Sequence, residues 1–126
     1  MIRVLIPLDK EFKLYEGELK FLYEENQKKI CDTNSFDFIR DNTLFYMFLD
    51  DNDLIGAIYY FMDDDKLFLN GFAYRKKHVL TCACLSLSLS WFTTNIYAEA
   101  QNRASALCLL RCGFERIEGK LFVYRK

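Results

Sequence analysis

The stretch Asn102–Phe114, NRASALCLLRCGF, constrains this chain most, because it carries both a start and a stop signal for one short helix. Asn102 suits the N-cap, where its side-chain carbonyl accepts from a free amide of the first turn. Gly113 suits the left-handed residue that ends a helix, and Phe114 is the apolar residue that folds back over the last turn. The segment reads as a strand ending at Ala100, a two-residue turn, a three-turn helix and a stop.

The remaining elements are placed around that helix. Ile2–Ile6 is rich in β-branched residues and closes at Pro7, which predicts a first strand. From Asp9 to about Ile30, apolar residues Phe12, Tyr15, Leu19, Leu22 and Tyr23 recur at three- and four-residue steps, predicting an amphipathic helix with a break at Gly17. Cys31–Asn42 is polar and reads as a loop, with a short helical turn at Phe36–Ile39. Thr43–Leu49 and Leu54–Met62 flank an Asx-rich turn and predict a hairpin. A second acidic turn, Asp63–Asp65, leads into a third strand of the meander, Lys66–Tyr74. Neither turn has the spaced oxygen ligands of a calcium loop.

Val79–Phe92 is ambiguous by itself. Leu85–Ser90 alternates with period two, as a strand does, while Leu80, Cys84, Leu87 and Trp91, with Ala83 beside them, share one helical stripe. Position decides for the helix: between Lys66–Tyr74 and the next strand, Asn95–Ala100, a helix forms a crossover joining adjacent parallel strands. Phe114–Ile117 and Leu121–Tyr124 close the chain as an antiparallel pair around Glu118–Lys120. The expected class is α+β, a central mixed sheet of six to seven strands with helices on both faces, in one domain over residues 1–126.

Composition narrows the partners. The formal charge of −1 offers no surplus of cations to displace counterions, which argues against nucleic acid. The apolar run 79–92 is too short for a bilayer, so no membrane association is expected. Five cysteines without framework spacing are expected as free thiols in a reducing, cytoplasmic compartment, and no signal peptide is expected. Twelve Phe and eight Tyr imply an aromatic interior or a surface for a protein partner. His78/Cys82 and Cys108/Cys112 each have the i, i+4 spacing of a helical metal site. Free cysteine is more often a small buried hydrophobe, so no metal is expected.

Asn102, Ser105, Gly113 and Phe114 together resemble the last block of the GNAT acyl-CoA N-acyltransferases, Asn-x-x-(Ala/Ser) followed by an apolar turn and Gly-Phe. The element order resembles that fold as well, most fully over residues 43–126. The resemblance implies acetyl-CoA as acyl donor and an amine acceptor that attacks the thioester directly. The family's diphosphate turn, (Arg/Gln)-x-x-Gly-x-(Gly/Ala) after a Tyr, corresponds to Tyr74–Leu80. Tyr74 and Arg75 match, whereas His78 and Leu80 replace the glycines and would crowd a diphosphate.

The resemblance therefore assigns the donor to Arg75, Lys76, Lys77, His78 and Val79, with Asn102 on the following helix. Leu109 stands where active members commonly carry the tyrosine that protonates the thiolate, and Tyr97, Cys108 and Tyr124 lie out of register with it. The strand before the turn offers Asn70 and no carboxylate, which leaves Glu99 as the expected base. Asn70–Gly71 reads either as a bulge that opens the cleft or as a weak point of an edge strand. Missing glycines, a shortened helix and Leu109 are also similar to small GNAT-like proteins of tailed bacteriophages, some associated with virion assembly or counter-defence. That likeness implies an inactive binding module with a protein partner.

Overall fold

The computed structural model describes residues 1–27 and 33–126. The expected helix end at residues 28–30 and the first two residues of the expected loop lie outside these. Among the described residues, the elements run β1 (Ile2–Leu5), α1 (Phe12–Asn26), α2 (Phe36–Asn42), β2 (Leu44–Asp50), β3 (Asp53–Asp63) and β4 (Lys66–Ala73). Then follow α3 (His78–Leu89), β5 (Ile96–Glu99), α4 (Arg103–Arg111), β6 (Glu115–Glu118) and β7 (Leu121–Tyr124). The strands form one sheet in the order β1-β2-β3-β4-β5-β7-β6. All neighbours pair antiparallel except β4 and β5.

The sheet separates two apolar clusters. On one face, Leu5, Phe45, Met47, Leu49, Tyr59 and Phe72 pack against Phe12, Leu19 and Tyr23 of α1 and Phe36 and Ile39 of α2. On the other, Phe48, Ile58, Tyr60, Ile96 and Ala98 pack against Cys84, Leu85 and Leu89 of α3 and Leu109 of α4. Strand β3 is covered on both sides, which explains its unbroken apolar sequence. Between Phe48 and Leu49 the β2–β3 register shifts, leaving Ile55 as the extra residue opposite them. This bulge changes the parity of β3, so that Leu54 and Ala57 share the α1 face while Ile55 and Ile58 share the α3 face.

Several expectations need correction. α1 begins at Phe12 because residues 6–9 form a turn, with the Asp9 carboxylate accepting from the Ile6 N–H at 2.8 Å. Gly17 does not break α1; it is exposed, and a side chain there would meet nothing within 4 Å. The expected turn at Phe36–Ile39 is a longer helix, α2, capped by Ser35, whose hydroxyl accepts from the Phe38 N–H at 3.1 Å.

Of the expected segment Val79–Phe92, residues up to Leu89 are helical, as its position between strands requires, while residues 90–92 turn out of the helix, and the buried stripe is Cys84, Leu85, Ser88 and Leu89. Leu87 and Ala83 face outward, about one residue's rotation from the expected stripe. A serine replaces a leucine in the interior because its polar group is satisfied there. Ser88 Oγ donates to the Leu85 carbonyl at 2.9 Å and lies 2.7 Å from the Tyr60 hydroxyl. Burial raises the Tyr60 pKa, so the phenol stays protonated and available to Ser88.

Gly56 sits where the backbone of β4 comes close to β3. An added Cβ would lie 2.1 Å from the Phe72 carbonyl oxygen and 2.6 Å from Ala73 Cα. Because backbone must give way, Gly56→Ala is expected to cost about 2 kcal/mol or more, the upper part of the usual overpacking range. Urea unfolding that left stability within about 0.5 kcal/mol of the parent, the usual range of a surface change, would contradict this.

Candidate functional site

The sheet opens where its one parallel pairing ends. β4 and β5 are in register over only Leu67↔Ile96, Phe68↔Tyr97 and Leu69↔Ala98. The next residues, Asn70 and Glu99, therefore stand on opposite lips of the opening. Ala98 and Ala100 belong to the cluster under α3 and α4. Side-chain alternation puts Tyr97 and Glu99 on the opposite face, together with Phe68 and Asn70. There Phe68 and Tyr97 pack at 5.7 Å between ring centroids, and Lys66 Nζ lies 5.4 Å from the Tyr97 ring. Glu99 is exposed at this lip.

Neither reading of Asn70–Gly71 holds: the β3–β4 register runs without interruption from Asp63↔Lys66 to Gly56↔Ala73, and β4 lies inside the sheet, not at its edge. The opening comes instead from the divergence of β5. Tyr74 N–H donates to the Ile55 carbonyl at 2.9 Å, so ladder alternation turns the Gly71 N–H toward the β5 side. Asn70 Oδ1 accepts from that amide at 2.8 Å. A polar residue thus covers a donor that the parted strands would otherwise expose.

At the end of β4 the chain enters a short 3-10 turn, Arg75–Lys77, which runs directly into α3. Two amides of this turn are already used: Lys77 N–H donates to the Tyr74 carbonyl at 2.9 Å, and His78 N–H to the Arg75 carbonyl. Arg75, Lys76, His78 and Val79 are exposed. Lys77 Nζ approaches the Asp53 carboxylate at 3.9 Å, and Lys76 Nζ lies 5.5 Å from the Tyr74 ring. Of the two residues at the glycine positions, only His78 stands at the surface; Leu80 packs against the cluster beneath the helix. Beside the turn, Phe21, Leu22, Glu25 and Asn26 of α1 and Ala73–Arg75 line a shallow depression of about 270 Å³.

Asn102 is engaged in a full capping box. Its Oδ1 accepts from the Ser105 N–H at 2.9 Å, and Ser105 Oγ accepts from the Asn102 N–H at 3.0 Å. Gly113 has φ +97°, and Phe114 N–H closes the helix on the Leu109 carbonyl at 3.0 Å. Leu109 is buried in the core and offers no proton. Cys108 is turned toward Cys82 on α3, with 3.1 Å between the sulfurs. Tyr124 packs on Phe114, and neither it nor Tyr97 lies on α4. The i, i+4 spacings of His78/Cys82 and Cys108/Cys112 had singled out Cys82, Cys108 and Cys112, which the sequence reading took as buried hydrophobes and the fold brings together. His78, the fourth residue of that pattern, is not part of the group.

Comparison with known proteins agrees with this architecture. No family model matches the chain, and no curated protein matches it. Solved structures do. The chain is similar to an N-acetyltransferase from Staphylococcus aureus Mu50 at 12% identity and TM-score 0.72, covering 99% of this chain and 97% of that one. An acetyltransferase of the GNAT family from Streptococcus pneumoniae aligns at 14% identity and TM-score 0.65, covering 100% and 99%. The aminoglycoside acetyltransferase AAC(6')-Ib in complex with coenzyme A and kanamycin aligns at 12% identity and TM-score 0.62, covering 100% and 95%. The chain has the GNAT fold. Among the described residues, no helix is long and apolar enough to cross a membrane.

Two outcomes test the local geometry. Asn102→Ala removes the cap and is expected to lower stability by about 1 kcal/mol, read from urea unfolding. Tyr74 donates to Glu18 Oε2 at 2.6 Å, and this bond pushes the phenol up to about 12. The folded-state pKa is raised, so the contribution is fully present below about pH 10, the free phenol value, and is lost as pH rises through about 12. Glu18→Gln is expected to flatten that part of the alkaline stability profile; an unchanged profile would assign the slope to other groups.

Proposed function

We propose that this chain is a diverged GNAT-fold N-acyltransferase that moves an acetyl group from acetyl-CoA to an amine. The observation that carries the reading is the short β4–β5 pairing, which parts at Asn70 and Glu99 beside a basic turn leading into α3. Acetyl-CoA supplies the activated thioester. Its diphosphate would be held by the exposed side chains of Arg75, Lys76 and His78, because the amides of Lys77 and His78 are engaged within the turn. Val79 and Asn102 are the other donor-side residues in this reading. An amine presented on the face shared by Asn70, Tyr97 and Glu99 would lose its proton to Glu99 and attack the thioester carbon directly. The tetrahedral oxyanion collapses with loss of the thiolate, and the proton that the attacking nitrogen still carries passes through water to the sulfur, since Leu109 has none to give.

A second reading is favoured by the buried Leu109 and the engaged amides: a GNAT-fold binding or assembly protein without transferase activity, of the kind found among tailed bacteriophages. Its partner would be a protein. Thermal unfolding with excess acetyl-CoA separates the two. At a thousandfold excess over Kd the transferase reading expects about 4 kcal/mol of stabilisation. No shift at millimolar acetyl-CoA would remove that reading and leave the second.

Further variants test the named roles. Arg75→Glu combined with Lys76→Glu is expected to weaken acetyl-CoA binding about tenfold or more, with a reduced salt dependence, as measured by calorimetry. Glu99→Gln is expected to lower kcat about a hundredfold or more while leaving acetyl-CoA affinity unchanged, the share typical of one general base. Equal kcat for the two proteins would move the proton transfer to another group.

A further inference from the structure

Three thiols from two helices meet on the outer side of the α3–α4 contact. Cys82 comes from the second turn of α3, and Cys108 and Cys112 lie one turn apart at the end of α4. Their sulfurs all fall within 4.8 Å of one another, and Cys82 and Cys108 are 3.1 Å apart. The Cys112 thiol lies 3.5 Å from the Cys82 carbonyl oxygen, and Ser86 Oγ lies 3.6 Å from Cys112 Sγ. Cys82 and Ser86 are themselves one turn apart on α3. The two helices therefore present facing i, i+4 pairs, Cys/Ser against Cys/Cys.

We propose that Cys82, Cys108 and Cys112 bind one zinc ion as three thiolates, clamping α3 to α4, with a fourth position open to solvent beside Ser86. The spacing fits. Zinc–sulfur bonds of about 2.3 Å at tetrahedral angles place sulfurs about 3.8 Å apart. That value falls between the 3.1 Å and 4.8 Å set by the present positions, so small side-chain adjustments complete the shell. All three residues are partly exposed, which gives the ion a way in. Soft thiolate ligands select zinc over magnesium or calcium. Binding releases the three thiol protons to water and transfers no electrons. The site is independent of the acyl-transfer reading, since none of its ligands lies on the β4–β5 lips or in the basic turn.

The test uses the full chain, purified in reductant and stripped with a chelator, then titrated with Zn²⁺ against a chromophoric chelator. One equivalent is expected to bind, and Co²⁺ in its place is expected to give a thiolate-to-metal charge-transfer band. Cys108→Ser is expected to weaken zinc binding by more than about a hundredfold, beyond the loss typical of an outer-shell partner. Cys84→Ala, which alters a buried thiol outside the group, is expected to leave affinity unchanged. Ser86→Cys, at an exposed position, completes a four-thiolate set and is expected to tighten binding about tenfold or more. Zinc below stoichiometry in the folded parent, or an affinity that Cys108→Ser leaves untouched, overturns the proposal. So does a Cys82–Cys108 disulfide whose reduction restores no zinc uptake.

Discussion

Three residues of parallel pairing join the two halves of this sheet. β1 to β4 form an antiparallel meander, and β5, β7 and β6 form a second antiparallel unit. Leu67–Leu69 alongside Ile96–Ala98 is where the two join. A parallel junction cannot be closed by a tight turn, so the chain must leave the sheet, cross one face and return. α3 is that crossover, and its seating on β3 through Ser88 and Tyr60 fixes where β5 arrives. Because the junction is so short, the strands part while both are still ordered. The site is a consequence of the connection: β4 and β5 supply its two lips, and the entry into α3 supplies its cations.

The polar contact that seats α3 is small and buried, and apolar contacts surround it. Trp91 stacks on Phe48 with ring centroids 6.2 Å apart, and Phe92 meets Tyr60 at 4.3 Å. Aromatic pairs of this kind tolerate some sliding, whereas a hydroxyl pair in an apolar setting does not, because displacing Ser88 takes the acceptor from the buried Tyr60 hydroxyl. The Tyr60–Ser88 bond thus sets the rotation of α3, and the rings set how firmly it is held. This explains why the buried stripe passes through a serine while Leu87 is left outside.

Much of this was legible in the residues, and the illegible parts share a cause. The caps of α4 are local: Asn102, Ser105 and Gly113 satisfy their neighbours' amides and carbonyls within a few positions, so the sequence alone specifies them. The crossover helix was legible only through its position, since the alternation of Leu85–Ser90 taken alone favours a strand. Its rotation depends on Tyr60, a strand residue far away in sequence, which no pattern within α3 can reveal. Neither reading of Asn70–Gly71, bulge or weak point of an edge strand, describes β4, which pairs without interruption inside the sheet. The cleft owes its existence to where β5 stops pairing, which is a property of two segments rather than of Asn70–Gly71. Leu109 and the turn after Tyr74 show the complementary case, in which a missing hydroxyl and missing glycines are visible directly as letters. That two amides of the turn bond within it is not, because it follows from the 3-10 geometry adopted there.

The outer side of the α3–α4 contact differs in kind from its inner side. Beneath the helices, carbon packs on carbon and the arrangement has one solution. Outside, sulfur meets sulfur, and burial together with the neighbouring thiols holds the Cys108 and Cys112 pKa values up, so these groups are protonated near neutrality. A cluster of protonated thiols contributes little directional force, since each S–H is a weak donor and each sulfur a weak acceptor. On this side the contact of α3 with α4 is made by sulfur, with Cys82 and Cys108 3.1 Å apart. Cys82 lies one helical turn from His78, at the start of the same helix that the basic turn enters. Helix α3 thus carries the basic turn at its entry and, one turn further on, one of the three clustered sulfurs.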